Sequence, residues 1–125
     1  MRTALFLPQV RKEYAAFPDD VQDELGYAIE RAQAGTMHLK ASPLPEFGSG
    51  VYEARSSYEG NAYRAIYYVR LAHHIYVVAA FVKKSKSGRD MPSEVKEAVR
   101  AGIRAAEAFE AKLVAQGVPV EEEGA

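Results

Sequence analysis

Three segments rich in β-branched and aromatic residues follow one another with little chain between them: Val51 to Ser57, Ala62 to Val69 and Ile75 to Val82. Strands joined by turns this short double back on their neighbours, because a parallel return needs a crossover of a dozen or more residues. The sequence is therefore committed to an antiparallel meander. The third segment, IYVVAAFV, is the most apolar and is expected at the centre of the sheet.

The flanks supply helices. Thr3 to Leu7 reads as a short strand ended by Pro8. Gln9 to Ala16 fits one or two helical turns. Pro18 then opens a stronger helix, in which Asp19, Asp20, Asp23 and Glu24 complement the dipole at the N-terminal end. Val21, Leu25, Ala28, Ile29 and Ala32 follow helical spacing up to Gly35. Residues 36–50 hold two prolines and two glycines and read as a loop. A polar loop, Lys83 to Asp90, leads to a last helix from about Met91 to Ala115, where Val95, Val99, Gly102, Ile103, Ala106, Phe109 and Leu113 form one stripe. Gly117 ends it.

The expected class is α+β: a small antiparallel sheet of about four strands, with an N-terminal helix or helical hairpin and a C-terminal helix packed on one face and the other face open. At 125 residues the chain holds one ordinary domain, expected over 1–117, with 118–125 an acidic, disordered tail. Cysteine is absent, which removes disulfides and thiolate metal sites and fits a reducing compartment. No apolar run is long enough to span a bilayer, and the first residues lack the apolar core of a secretion signal, so a cytoplasmic protein is expected.

The net charge of −1 argues against a nucleic-acid binder, but the charges are unevenly spread. Residues 50–90 carry seven cations (Arg55, Arg64, Arg70, Lys83, Lys84, Lys86, Arg89) against three acids (Glu53, Glu59, Asp90), a balance of +4. Residues 1–49 carry −2 and residues 91–125 carry −3. The same block holds Tyr52, Tyr58, Tyr63, Tyr67, Tyr68 and Tyr76. Cations neutralise phosphates and rings stack on unpaired bases, so this mixture is one way to hold RNA. A half-exposed sheet with Arg and Tyr on its wet face has the same composition.

Turn symmetry narrows the choice. A hairpin centred on Glu59-Gly60 sets Arg55 opposite Arg64, on one face of the sheet. A second hairpin centred on Ala72-His73 sets Arg64 opposite Phe81, with Lys83 on that same side at the strand end. Like charges directly opposed destabilise a sheet unless an anion lies between them, which points to a phosphate. The competing account pairs these cations with Glu53, Glu59 or the acidic tail.

The stretch from Ala80 through Lys83-Lys84-Ser85-Lys86 to Gly88 and Pro92, followed by Glu94-Val95, resembles the signature of the RelE/ParE toxin superfamily, and within it the phage-derived HigB-like branch. Val51-Tyr52-Glu53-Ala54-Arg55 is similar to that branch's strand ending in arginine. The run Ala62 to Tyr68 is similar to its Y-R-x-x-Y strand, and Phe17-Pro18 through Leu25-Gly26 to its early helix. The likeness spans roughly residues 4–110 in matching order.

The resemblance implies the toxin of a type II toxin–antitoxin pair: a ribosome-dependent endoribonuclease that cuts mRNA, inhibits translation and needs no metal or other cofactor. In such an enzyme the 2′-hydroxyl attacks the neighbouring phosphate, and the protein supplies a base, an acid and cations. The implied partners are the ribosome, mRNA and a helix-turn-helix antitoxin that covers the basic face and carries the operator contact. By the resemblance, Arg55 and Arg64 clamp the scissile phosphate, and Lys83 and Lys84 neutralise the transition state and a flanking phosphate. Lys86 and Arg89 contact RNA backbone, and Tyr63 or Tyr67 stacks on a base or moves a proton. Phe81 reads as core or stacking platform. The acid and base stay unassigned: His38 lies in the proline-rich loop, and His73 and His74 read as solvated turn residues. Two alternatives stand beside this: a ParE-like gyrase inhibitor, and a non-catalytic interaction module of the same fold.

Overall fold

The computed structural model describes residues 2–84 and 91–120. Its five strands are β1 (Thr3–Phe6), β2 (Ala41–Pro43), β3 (Val51–Tyr58), β4 (Asn61–Tyr68) and β5 (His74–Lys84), in the sheet order β1-β5-β4-β3-β2. Three helices accompany them: α1 (Pro8–Ala15), α2 (Asp19–Gln33) and α3 (Ser93–Ala115). The expected α+β class holds, but the most apolar strand, β5, lies beside the central β4 rather than at the centre, and β1 flanks it only from His74 to Val77.

The β3–β4 hairpin closes on Glu59 (φ 51°) and Gly60 (φ 84°). Positive φ at both central residues matches the right-handed twist of the strands and allows a two-residue turn. The register is therefore the symmetric one, with Arg55 opposite Arg64. In the next hairpin, Tyr68 faces Tyr76 and Tyr67 faces Val77, one position away from the symmetric pairing. A bulge between Ile66 and Tyr67 then shifts the register, so Ile66 meets Ala79 and Arg64 meets Phe81. The expected Arg64–Phe81 pairing is present, but the bulge produces it rather than the turn.

Two features differ from expectation. The proline-rich loop yields a fifth strand, β2, where Ala41–Pro43 pairs with Tyr52–Ala54 at the sheet edge, a position proline tolerates. The helices also divide between the two faces. Val21, Leu25, Ala28 and Ile29 of α2 pack with Ala54, Ala65, Tyr67, Ile75 and Val77. Val99 and Ala106 of α3 pack with Val51, Ile66, Tyr76 and Val78. Strand alternation puts these two sets on opposite sides, so each apolar face recruits its own helix. The cation-bearing face is thus covered by α3 along β5.

Gly102 lets α3 approach closely, since a Cβ there would lie 2.6 Å from the carbonyl oxygen of Val78. Nearer its C-terminus, α3 carries a buried acid, Glu110, on the same stripe as Val99 and Ala106. Glu110 accepts hydrogen bonds from the Tyr76 hydroxyl at 2.7 Å and from the backbone N–H of Ala72 and His73 at 3.1 Å. His73 is only 7% exposed, so it is not the solvated turn residue expected. Its partners beyond the turn include the carbonyl of Val118, which holds the chain past Gly117. Of the tail expected over 118–125, Val118 is instead tied down at both its carbonyl and its N–H, and residues 121–125 lie outside the described residues.

Candidate functional site

The side of the sheet that carries α3 also carries the cations. Along β3 the outward series is Val51, Glu53, Arg55 and Ser57; along β4 it is Ala62, Arg64, Ile66 and Tyr68. Phe81 and Lys83 of β5 complete the rows through Arg64 and Ala62. Arg55, Arg64 and Lys83 therefore share one face of three adjacent strands.

The opposed guanidinium groups avoid each other by leaning the same way, toward the β2 edge. Arg64 crosses to β3, where its Nη1 lies 3.0 Å from Oε2 of Glu53. Arg55 crosses to β2, where its Nη2 donates to the Ser42 hydroxyl at 3.2 Å. Their surroundings differ. Arg64 and Glu53 are largely buried, with side chains 16% and 6% exposed, whereas Arg55 is exposed. Among the described residues the competing account holds for Arg64, which sits on a carboxylate of its own chain, and not for Arg55. The pairing is incomplete, because the buried Nε–H of Arg64 has no acceptor among the described residues. Lys83 is half-buried at the end of β5.

Other expected site residues fall elsewhere. Tyr67 is 1% exposed and belongs to the core beneath α2, so it offers no ring for stacking. Burial, with Tyr52 alongside, pushes its hydroxyl up to about 12, which keeps the phenol protonated near neutral pH. Tyr63 lies on the same far face, half-buried, with its ring edge-on to Phe17 at 4.9 Å. Both tyrosines occupy odd positions next to even-numbered Arg64, and strand alternation sends them away from it. Lys84 pairs with Asn61 at the last position of β5. Lys86 and Arg89 lie outside the described residues.

Sequence reasoning missed part of the cationic border. Lys96 of α3 pairs with Glu46 at 3.3 Å, and the Arg100 guanidinium stands 5.3 Å from the centre of the Phe47 ring. Both acceptors belong to a short 3-10 turn, Pro45–Phe47, between β2 and β3. The signal was present in the helical spacing of Lys96 and Arg100, four residues apart on one flank of the apolar stripe.

The opposite face holds a separate polar knot. Glu24 of α2 takes the Ser56 hydroxyl and the Lys40 ammonium, each at 2.7 Å, and these bonds, that from Lys40 foremost, lower its pKa. Among the described residues no cluster of three or more His, Asp or Glu could hold a metal ion, and no helix is long and apolar enough to cross a membrane.

The molecule is therefore a small single-sheet α+β protein whose central hairpin presents paired arginines on a face only partly roofed by a helix. The family model of phage-derived Gp49-like proteins (DUF891) matches residues 12–101, and the chain belongs to that family, part of the RelE/HigB-like toxins. Membership suggests a phage-derived toxin of a toxin–antitoxin pair, and with it an antitoxin partner. Among curated proteins none matches.

Proposed function

We propose that the protein is a toxin that cuts mRNA on the ribosome, using the face that carries Arg55, Arg64 and Lys83. The observation that carries this reading is the direct opposition of Arg55 and Arg64 on neighbouring strands. Two guanidinium forks this close suit a phosphate that accepts from both. The unaccepted Nε–H of Arg64 supplies a further donor to such an oxygen.

In this reading Glu53 is the base. A phosphate that draws Arg64 away from Glu53 leaves a carboxylate beside the scissile bond. That carboxylate takes the proton of the 2′-hydroxyl as the 2′-oxygen bonds to phosphorus. The bond from phosphorus to the 5′-oxygen then breaks, and the leaving oxygen takes a proton from the Lys83 ammonium. The products are a 2′,3′-cyclic phosphate and a free 5′-hydroxyl, with both protons accounted for. Arg55 stabilises the charge that develops on the phosphorane oxygens.

The test is a cell-free translation reaction with end-mapping of the message. Cleavage of ribosome-bound mRNA with cyclic phosphate ends is the expected result, and Arg55→Ala should slow it by roughly 100-fold or more. Intact message with gyrase-linked DNA breaks would move the protein to the ParE-like activity. Intact message and intact DNA would leave an interaction module.

A further inference from the structure

A cavity of about 290 Å³ lies between the last turn of α2 and the β3–β4 pair, on the face away from Arg55 and Arg64. Arg2, Ala32, Tyr52, Tyr67 and Val69 line it, together with residues 35–37 just past α2. Tyr52 and Tyr67 oppose each other on neighbouring strands, with their rings stacked at 5.8 Å. Phenylalanine would stack equally well, so packing does not account for the two hydroxyls. Tyr67 is 1% exposed, yet its hydroxyl makes no hydrogen bond among the described residues, and neither does that of Tyr52. The Tyr67 hydroxyl is not sealed in either, so the trace of surface this residue keeps is at the cavity. A hydroxyl held this deep without a partner destabilises the fold that holds it.

Arg2 supplies the charge. Its Nη1 donates to the carbonyls of Val69 and Leu71, each at 2.7 Å, and its own carbonyl accepts from Nε2 of Gln33 at 2.8 Å. Guanidinium and backbone are thus fixed, one to the chain between β4 and β5 and the other to α2. The Nε and Nη2 of Arg2, the side-on edge of the fork, have no partner among the described residues, and the lining contains no carboxylate. A held cation and two protonated phenols are all donors, which selects an anion. Ala32, Met37 and Val69 give the rest of the wall an apolar character. Water alone would serve the hydroxyls and leave that wall wet.

We infer that this cavity binds a small aromatic carboxylate, with its carboxylate on Arg2 and the tyrosine hydroxyls and its ring against Ala32, Met37 and Val69. The volume lies at the low end of ligand cavities, about 300–1,000 Å³, which limits the occupant to one ring. Arginine suits the head group because its fork meets a carboxylate with two parallel bonds. The inference does not rest on the RNA reading, whose residues stand on the opposite face of the sheet.

The test titrates the isotope-labelled full chain with benzoate and, in parallel, with benzamide, its neutral counterpart. Benzoate should shift the amide signals of Ala32, Thr36 and Val69 with a Kd on the order of 1 mM. Benzamide should bind at least about tenfold more weakly, because it brings no charge to Arg2. Tyr67→Phe should weaken benzoate by about tenfold, the worth of one hydrogen bond to a charged group. The same substitution should leave the urea midpoint unchanged or raised, since it removes a hydroxyl that no described residue serves. Equal binding of benzamide, shifts confined to the Arg55 face, or no shift by roughly 10 mM benzoate overturns the inference. So does a lowered midpoint in Tyr67→Phe, which would show that the hydroxyl serves the fold.

Discussion

The imidazole of His73 bridges two acceptors: Nδ1 lies 2.7 Å from Oε2 of Glu110, and Nε2 lies 2.7 Å from the carbonyl oxygen of Val118. A neutral ring has one N–H and can serve only one of them. The arrangement therefore favours the imidazolium, which clamps α3 and the chain after it onto the turn before β5. The Val118 bond first, then Glu110, raises the His73 pKa against the opposing effect of burial. Burial raises the Glu110 pKa, but bonds from His73, Tyr76 and the His73 backbone outweigh it and leave it lowered.

The pH dependence follows from these two directions. A raised histidine stabilises fully below its ordinary value of 6.5, and that stability is lost as pH rises through the folded value. A lowered carboxylate stabilises above its ordinary value of 4.5, and that is lost as pH falls through the folded value. Between those limits the clamp is intact. Thermal unfolding of the wild type and of His73→Gln should differ most between the ordinary values of the two groups, and the gap should narrow as pH rises above 6.5. A gap that does not narrow with rising pH would show that the ring is held neutral.

Glu53 and Arg64 are the buried pair of the candidate site, and removing one partner strands the other. Arg64→Ala should cost roughly 3 kcal/mol in urea unfolding, because an uncompensated carboxylate remains. Replacing both with Glu53→Gln and Arg64→Met should recover most of that loss. Exposed Arg55, by contrast, should tolerate alanine within about 0.5 kcal/mol. Loss of activity in Arg55→Ala thus reports on chemistry, whereas in Arg64→Ala it mixes chemistry with folding. A near-zero coupling energy in the Glu53–Arg64 double-mutant cycle would remove the pair as a structural unit.

Gly102 sets the distance between α3 and β5. Alanine is the better helix former by roughly 1 kcal/mol, yet its Cβ would lie 2.6 Å from the carbonyl oxygen and 2.9 Å from the Cβ of Val78. The helix must move, and overpacking of this kind typically costs about 1–3 kcal/mol. Gly102→Ala should therefore lower the urea midpoint despite its favourable propensity. A raised midpoint would mean that α3 shifts outward without loss.

The opposition of Arg55 and Arg64 was legible because a two-residue turn between strands of even pattern leaves one register. The Arg64–Phe81 pairing was legible only in its outcome, since a bulge inside an apolar run such as IYVVAAFV leaves no mark in residue type. Where α3 packs was not legible: its stripe says that one side is buried, not which face of the sheet buries it. The ion pair of Arg64 was foreseen as one option among several carboxylates, and only side-chain placement selects Glu53. Glu110 was overlooked because a lone acid near the end of a helix reads as solvated, although its position continues the series Val99 and Ala106. Tyr67 was assigned to the site by the resemblance, where alternation alone would have sent it to the face away from Arg64.

Salt dependence discriminates phosphate binding from an ornamental charge cluster. On single-stranded RNA each neutralised phosphate contributes a slope of about −0.7 in log K against log salt. If Arg55, Arg64 and Lys83 each meet one phosphate, the slope due to this face is about −2. Arg55 is exposed and, among the described residues, tied only to the Ser42 hydroxyl, so its removal should lower the slope by close to one full increment. Arg64 must first leave Glu53, and that exchange of one anion for another weakens affinity without altering the count of phosphates neutralised. Filter binding of a short unstructured RNA from 50 to 300 mM salt measures both quantities. The expected result is a shallower line for Arg55→Ala and a parallel, raised line for Glu53→Gln, which frees Arg64 in advance. Identical slopes for the wild type and Arg55→Ala would place the RNA contact away from the β3–β4 hairpin.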